Sequence, residues 1–317
     1  MRVTTAGQTQ AIIARLLDTS SKLAEAQDQV TTGLKVSKMS DDPTSASLVV
    51  RDSAALRGID QYTRNATTTG TALAAEDSVT QQLSDLLNRA KELGVGANSS
   101  TASASARAAS AAEVQQLLDQ AVSLGNTKVG NTYLFGGTNN DGREPFDATQ
   151  SNFVPTDPST TPGGAPVPRY PQGQLSVDVG AGGQTVTGAH DGTTLFLDTT
   201  NGAPNSSKGV LPALQQLQQA LAGSNTSAIA GALTAIDTAS DTLQVHVGEL
   251  GARQDQVDAV KTGLTALQTT LTQQKSDLSE VDTAQAYTEM VARQTAYQTA
   301  MLASSKVMGL SLTDYLK

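Results

Sequence analysis

The sequence predicts a mainly α protein with a β-rich insert, its helical part a discontinuous bundle or coiled coil built from both termini. Three observations carry that expectation: amphipathic helical patterns at both ends of the chain, a long aliphatic heptad in the C-terminal half, and a middle crowded with proline and glycine. With 317 residues, the chain is long enough for two or three small domains.

The N-terminal pattern covers residues 8–32. Leu16, Leu23 and Val30 are seven apart, Ile12 and Ala26 fill the seam between them, and Gly33 supplies a stop. Ser40, Asp41, Asp42 and Pro43 read as a new helix start, since a carboxylate caps free N–H groups and proline at the first helical position loses no needed donor. From Leu48 through Ile59, Ala66, Leu73, Leu83 and Leu87 a three-and-four spacing predicts one long helix ending near Gly94. A Gly/Ser-rich loop and a further helix, with Val114, Leu117, Ala121 and Leu124 on one face, come next.

Between about 136 and 205 the composition changes. Eight of the ten prolines fall there, with turn signals at Asp141–Gly142, Gly182–Gly183 and Asp191–Gly192. Leu175, Val177 and Val179 alternate as in a half-buried strand, TTLFLD reads as another strand, and 155–171 reads as an extended loop. Helix is expected again after Pro212. Leu243, Leu250, Val257, Leu264, Leu271 and Leu278 keep strict seven-residue intervals; Val260, Leu267 and Val281 share the seam, which His246, Arg253 and Gln274 interrupt. A helix over 275–317 would be roughly 65 Å long. The expected organisation is terminal helices at 1–43 and 275–317, a long-helix rod at 44–137 and 205–274, and an outer β-rich insert at 138–204.

Composition excludes several function classes. The formal net charge of −9 and the lack of any basic run oppose nucleic-acid binding and docking on anionic lipid. No apolar run reaches the roughly 20 residues needed to cross a bilayer. The start MRVTTAGQTQAIIARLL lacks the pattern of a secretory signal, which taken alone predicts a cytoplasmic protein. Without cysteine there are no disulfides, thiolate metal sites or cysteine nucleophiles. Asp41–Asp42 is better explained as a cap than as acid/base chemistry. GGTNNDG lacks the Lys–Ser/Thr ending of a phosphate loop and the ligand spacing of a calcium loop. His190 and His246, the two histidines, have no metal-type spacing. No catalytic, cofactor or metal residues are therefore expected.

Five segments carry a family resemblance: MRVTTAGQTQ, VTTGLKVSKMSDDPTSASLVV, YLFGGTNNDGREPF, VGELGARQDQVDAV, and the tail LSEVDTAQAYTEMVARQTAYQTAMLASSKVMGLSLTDYLK. In this order they resemble the bacterial flagellin family, and the SLTDYLK ending favours its hook-associated members over the filament subunit. The resemblance implies a structural, non-enzymatic subunit at the hook–filament junction, between the hook-associated protein FlgK and flagellin, arranged as a ring of copies. It also implies a cytoplasmic export chaperone, unfolded passage through the flagellar type III apparatus without a cleaved signal, and an extracellular destination, which revises the cytoplasmic expectation. The expected assembly interface is Ile12, Leu16, Leu23, Val30, Leu278, Val281, Val291, Tyr297, Met301, Leu312 and Tyr315. A helix with one apolar stripe is marginal alone in water, so both ends are expected to order only when neighbours cover them. Two alternatives stay open: a minor flagellin, and a secreted binding or hydrolytic protein whose activity resides in the insert.

Overall fold

The computed structural model describes residues 5–138, 142–150, 153–157, 167–168, 171, 173–180, 183–197 and 209–315. In chain order the helices are α1 (Thr5–Thr32), α2 (Pro43–Ala97), α3 (Ala104–Gly125), α4 (Val210–Ala222), α5 (Thr226–Ser279) and α6 (Thr283–Tyr315). Between α3 and α4 lie three two-stranded antiparallel hairpins: β1 (Lys128–Val129) with β2 (Thr132–Tyr133), β3 (Thr156–Asp157) with β4 (Val167–Pro168), and β5 (Ser176–Gly180) with β6 (Gln184–Thr187). The protein is mainly α with small sheets, as the sequence predicts. None of the described helices is long and apolar enough to cross a membrane.

The chain forms two compact units, residues 1–58 with 266–317, and residues 59–265. The second unit holds a dense core. Leu83, Leu87, Val114, Leu214, Leu217, Leu221 and Ile229 are all fully buried or nearly so, and Phe135, Phe146 and Phe196 close the core beside them. Phe196 meets Phe135 edge-on at 5.1 Å and Phe146 tilted at 4.8 Å, geometries that aromatic quadrupoles favour. A smaller cluster joins Val179 and Val186 of the β5–β6 hairpin to Ala66, Leu73, Leu250 and Val257.

The helix starts obey local grammar. Ser103 caps α3 by accepting from the Ala106 N–H, and Asn225 caps α5 by accepting from Ser227 and Ala228. Leu243, Leu250, Val257 and Leu264 of the heptad are buried, and Leu271 and Leu278 are half-buried.

Three expectations are corrected. First, α2 runs past Gly94 to Ala97. A Cβ at Gly94 would lie 2.7 Å from Leu233 Cδ2 and 3.1 Å from Leu217 Cδ1, so the glycine makes room for close packing rather than a helix stop. Second, TTLFLD is a π-helical turn over Thr193–Leu197, not a strand. Leu195, Phe196 and Leu197 are all buried, which a strand facing the core on one side cannot achieve with consecutive residues. Third, no single helix spans 275–317, because α5 stops at Ser279 and α6 starts afresh at Thr283. Most of 155–171 lies outside the described residues.

Candidate assembly interface

In the unit formed by 1–58 and 266–317, α1 packs along α6. A short knot of backbone fixes their alignment. α1 ends at Gly33, whose left-handed φ of 71° suits glycine and whose N–H closes the last turn on the Gln29 carbonyl. The chain then pairs with the break between α5 and α6: Val281 N–H donates to the Gly33 carbonyl at 3.0 Å, and Lys35 N–H donates to the Ser279 carbonyl at 2.7 Å. Leu34 and Glu280 form an isolated antiparallel bridge there. Asp282 then restarts the helix by accepting from Ala284 and Gln285.

The SDDP segment is built the same way. Asp42 accepts from the Thr44 and Ser45 N–H groups and from the Ser45 hydroxyl at 2.6 Å, capping α2. Asp41 faces back, accepting from the Ser37 and Lys38 N–H groups. These bonds hold both carboxyls below the usual carboxylate range, through Lys38 N–H first for Asp41 and the Ser45 hydroxyl first for Asp42. The carboxylate pair is structural.

What this unit buries is unusual. Among its described residues only Ala26, Ala46, Asp52, Ser279, Ala286 and Ser304 are buried; no Leu, Ile, Val, Met, Phe or Tyr is. Of the expected interface residues, Ile12, Leu16, Leu23, Val30, Leu278, Val281 and Tyr297 are half-buried. Val291 and Met301 are exposed, at 42% and 50%. The side chains of Leu312 and Tyr315 lie outside the described residues. The single chain therefore holds both terminal helices formed and in contact, where the sequence reading expects them to order only on assembly, yet their contact seals little apolar surface.

Sequence reasoning missed further exposed apolar residues: Ile13, Leu17, Tyr287 and Leu302 stand open at 49%, 63%, 59% and 67%. The signal was present as adjacent pairs, Ile12–Ile13, Leu16–Leu17 and Met301–Leu302. Neighbours on a helix point about 100° apart, so both members of such a pair cannot face one partner. Two of the ion pairs here, Lys22–Asp18 and Arg293–Glu289, are exposed i,i+4 pairs that add well under about 1 kcal/mol each.

A second polar grouping lies in the unit of residues 59–265. His190 Nδ1 contacts Glu76 Oε1 at 2.6 Å and His190 Nε2 contacts Glu249 Oε2 at 3.0 Å; both His190 and Glu76 are buried. Desolvation pulls the His190 imidazole down, but the two carboxylates outweigh it and raise its affinity for a proton. His246 crosses His190 edge-on at 4.8 Å and is held low, by burial first and then by the His190 charge. Arg253 donates to the Gly188 carbonyl at 2.8 Å. His246 and Arg253 break the α5 heptad because that stretch of α5 meets the 174–190 segment.

Paired terminal helices with an open apolar surface, and a separate unit built from the middle of the chain, define a helical protein whose two ends form one structural element. Comparison with known proteins gives the same result. Residues 3–140 match the bacterial flagellin N-terminal helical region, and residues 233–316 match the bacterial flagellin C-terminal helical region. The chain belongs to the bacterial flagellin family. It is 29% identical over 307 residues to flagellar hook-associated protein 3 of Escherichia coli (strain K12), covering 92% of each chain. It is 29% identical over 162 residues to the protein of the same name from Salmonella typhimurium (strain LT2), covering 51% of each. Among solved structures, a flagellar hook-associated protein from Vibrio parahaemolyticus aligns with a TM-score of 0.62 at 18% identity, over 76% of this chain and all of that one. Hook-associated protein 3 of Legionella pneumophila aligns with a TM-score of 0.58 at 15% identity, over 73% of this chain and 98% of that one. These structural likenesses establish the fold.

Proposed function

We propose that this chain is a structural, non-catalytic junction subunit of the bacterial flagellum, joining FlgK to the flagellin filament as a ring of copies. The observation that carries the reading is the inverted burial of the 1–58/266–317 unit. Among the described residues of α1 and α6 only Ala26, Ala286 and Ser304 are buried, while Ile13, Leu17, Val291, Met301 and Leu302 are exposed. Burying a Leu or Ile side chain contributes about 1.5–3 kcal/mol, so a surface of this kind favours further association. Family membership and the hook-associated relatives support the same reading.

In it, the terminal helices at 1–43 and 275–317 serve axial assembly, 44–137 with 205–274 forms a rod, and 138–204 is an outer insert. The interface comprises Ile12, Leu16, Leu23, Val30, Leu278, Val281, Val291, Tyr297, Met301, Leu312 and Tyr315, extended by Ile13, Leu17 and Leu302. Its partners are FlgK, flagellin and other copies of itself. An export chaperone and the flagellar type III apparatus deliver it, without a cleaved signal, to the outside of the cell.

The test is deletion with complementation. Cells without the gene should show hooks lacking filaments and shed flagellin into the medium; restoring Leu17→Asp/Leu302→Asp should leave that defect while the purified variant keeps wild-type helicity. Normal filaments in the deletion strain, or full rescue by the double variant, would overturn the reading. Purified protein elongating into filaments by itself would replace it with a minor flagellin.

A further inference from the structure

We propose that His190, His246 and Glu249 form a binding site for a divalent zinc-class metal ion, with Glu76 positioning the first histidine. The three ligand atoms lie within 4.8 Å of one another. His190 Nε2 and Glu249 Oε2 are 3.0 Å apart, and His246 Nδ1 and Glu249 Oε2 are 3.9 Å apart. Tetrahedral zinc holds N and O ligands at about 2.0–2.2 Å, which places neighbouring ligand atoms roughly 3.3–3.5 Å apart. These two separations bracket that spacing, and side-chain rotation would bring the His190–His246 pair, within 4.8 Å, to it.

Two features point to a ligand rather than to incidental proximity. His246 is 7% exposed, and its Nδ1 has no hydrogen-bond partner, although it lies toward Glu249. An unpaired imidazole nitrogen in a buried position costs stability unless something binds it. Glu76 also has the role a supporting carboxylate takes behind a metal-bound histidine. It receives His190 Nδ1 at 2.6 Å and the His190 backbone N–H at 3.3 Å, which fixes the ring and turns Nε2 toward the other two ligands. Glu249 is half-exposed, so ions have a route in and water has access to the fourth position.

Imidazole and carboxylate together suit zinc and cobalt better than calcium or magnesium, which prefer oxygen alone. Sequence spacing concealed this site. His190 and His246 are 56 positions apart, and the His246–Glu249 i,i+3 pair is unremarkable until the segment after β6 brings His190 to it. In this role the ion would clamp that segment and α5 together, with Glu76 of α2 behind.

The experiment uses untagged full-length protein, stripped with chelator and titrated with ZnCl2 by calorimetry and with CoCl2 by visible absorption. One ion per chain and tetrahedral Co2+ d–d bands are expected. His246→Gln should abolish the bands and weaken zinc binding at least tenfold while leaving the circular dichroism unchanged, since the Glu76–His190 and His190–Glu249 hydrogen bonds do not involve His246. Glu76→Gln should keep the bands but weaken binding about 10–100-fold. Absence of Co2+ bands in the wild type, or equal zinc affinity in His246→Gln, would overturn the proposal and leave the cluster an ion pair only. Neither result bears on the junction role, which rests on the other unit.

Discussion

Asn126 and Phe146 are bound to each other twice: the Asn126 side-chain NH2 donates to the Phe146 carbonyl at 2.9 Å, and the Phe146 N–H donates to Asn126 Oδ1 at 2.9 Å. One side chain thereby gives Phe146 the pair of bonds that a strand neighbour would. The fully buried Phe146 ring sits between two glycines, since a Cβ on Gly125 or Gly192 would lie 2.6 Å from it. Asn126→Ala removes both partners at once and strands a buried donor and acceptor. We expect a loss of about 2–4 kcal/mol by urea denaturation. A loss below about 0.5 kcal/mol would refute the clamp.

Gly209, immediately before α4, is needed for space. A Cβ there would lie 2.5 Å from the Leu197 carbonyl carbon and 2.6 Å from the Phe196 carbonyl oxygen, and backbone cannot step aside as a side chain can. Gly209→Ala should therefore cost about 3 kcal/mol. Gly231, inside α5 with nothing within 4 Å of its added Cβ, provides the contrast. Gly231→Ala should stabilise by about 0.5–1 kcal/mol. Paired thermal melts of the two variants should move in opposite directions.

The two units should answer differently to the same truncation. Leu217 is fully buried, and Leu217→Ala should cost about 2–5 kcal/mol. Leu17 is 63% exposed, so Leu17→Ala should leave the monomer's stability within about 0.5 kcal/mol of wild type. Incorporation into flagella is where the second change should register.

Acid should loosen the SDDP turn. The folded-state carboxyls of Asp41 and Asp42 sit below their ordinary range, so their support is present above the unfolded value and is lost as pH falls through the folded one. Hydrogen exchange at Lys38, Thr44 and Ser45 should accelerate across that acidic window in the wild type. With Asp42→Asn, exchange at Thr44 and Ser45 should lose that dependence, while Lys38 keeps it through Asp41.

Much of this was legible in the chain because local chemistry decided it. Gly33, the Asp42–Pro43 start and the Leu243-to-Leu264 heptad depend on near neighbours and period, and the fold keeps them. Gly94 reads as a stop only until Leu233 and Leu217, more than a hundred residues away in sequence, are seen against it. His246 and Arg253 look like defects in a seam because the 174–190 segment they meet has no helical period to announce itself. The break at 280–282 was hidden because Asp282 lies within an otherwise continuous helical pattern, and the backbone of residues 33–35 that pairs there comes from the far end of the chain.

The exposed aliphatic side chains of α1 and α6 have a consequence for engineering and for storage. Under the proposed junction role, a substitution that makes the purified molecule better behaved by replacing an exposed aliphatic residue such as Leu17 or Leu302 with a polar one removes apolar surface that the assembled form would use. In that role solubility and assembly would be opposed at those positions, so screening for well-expressed variants would select steadily against assembly.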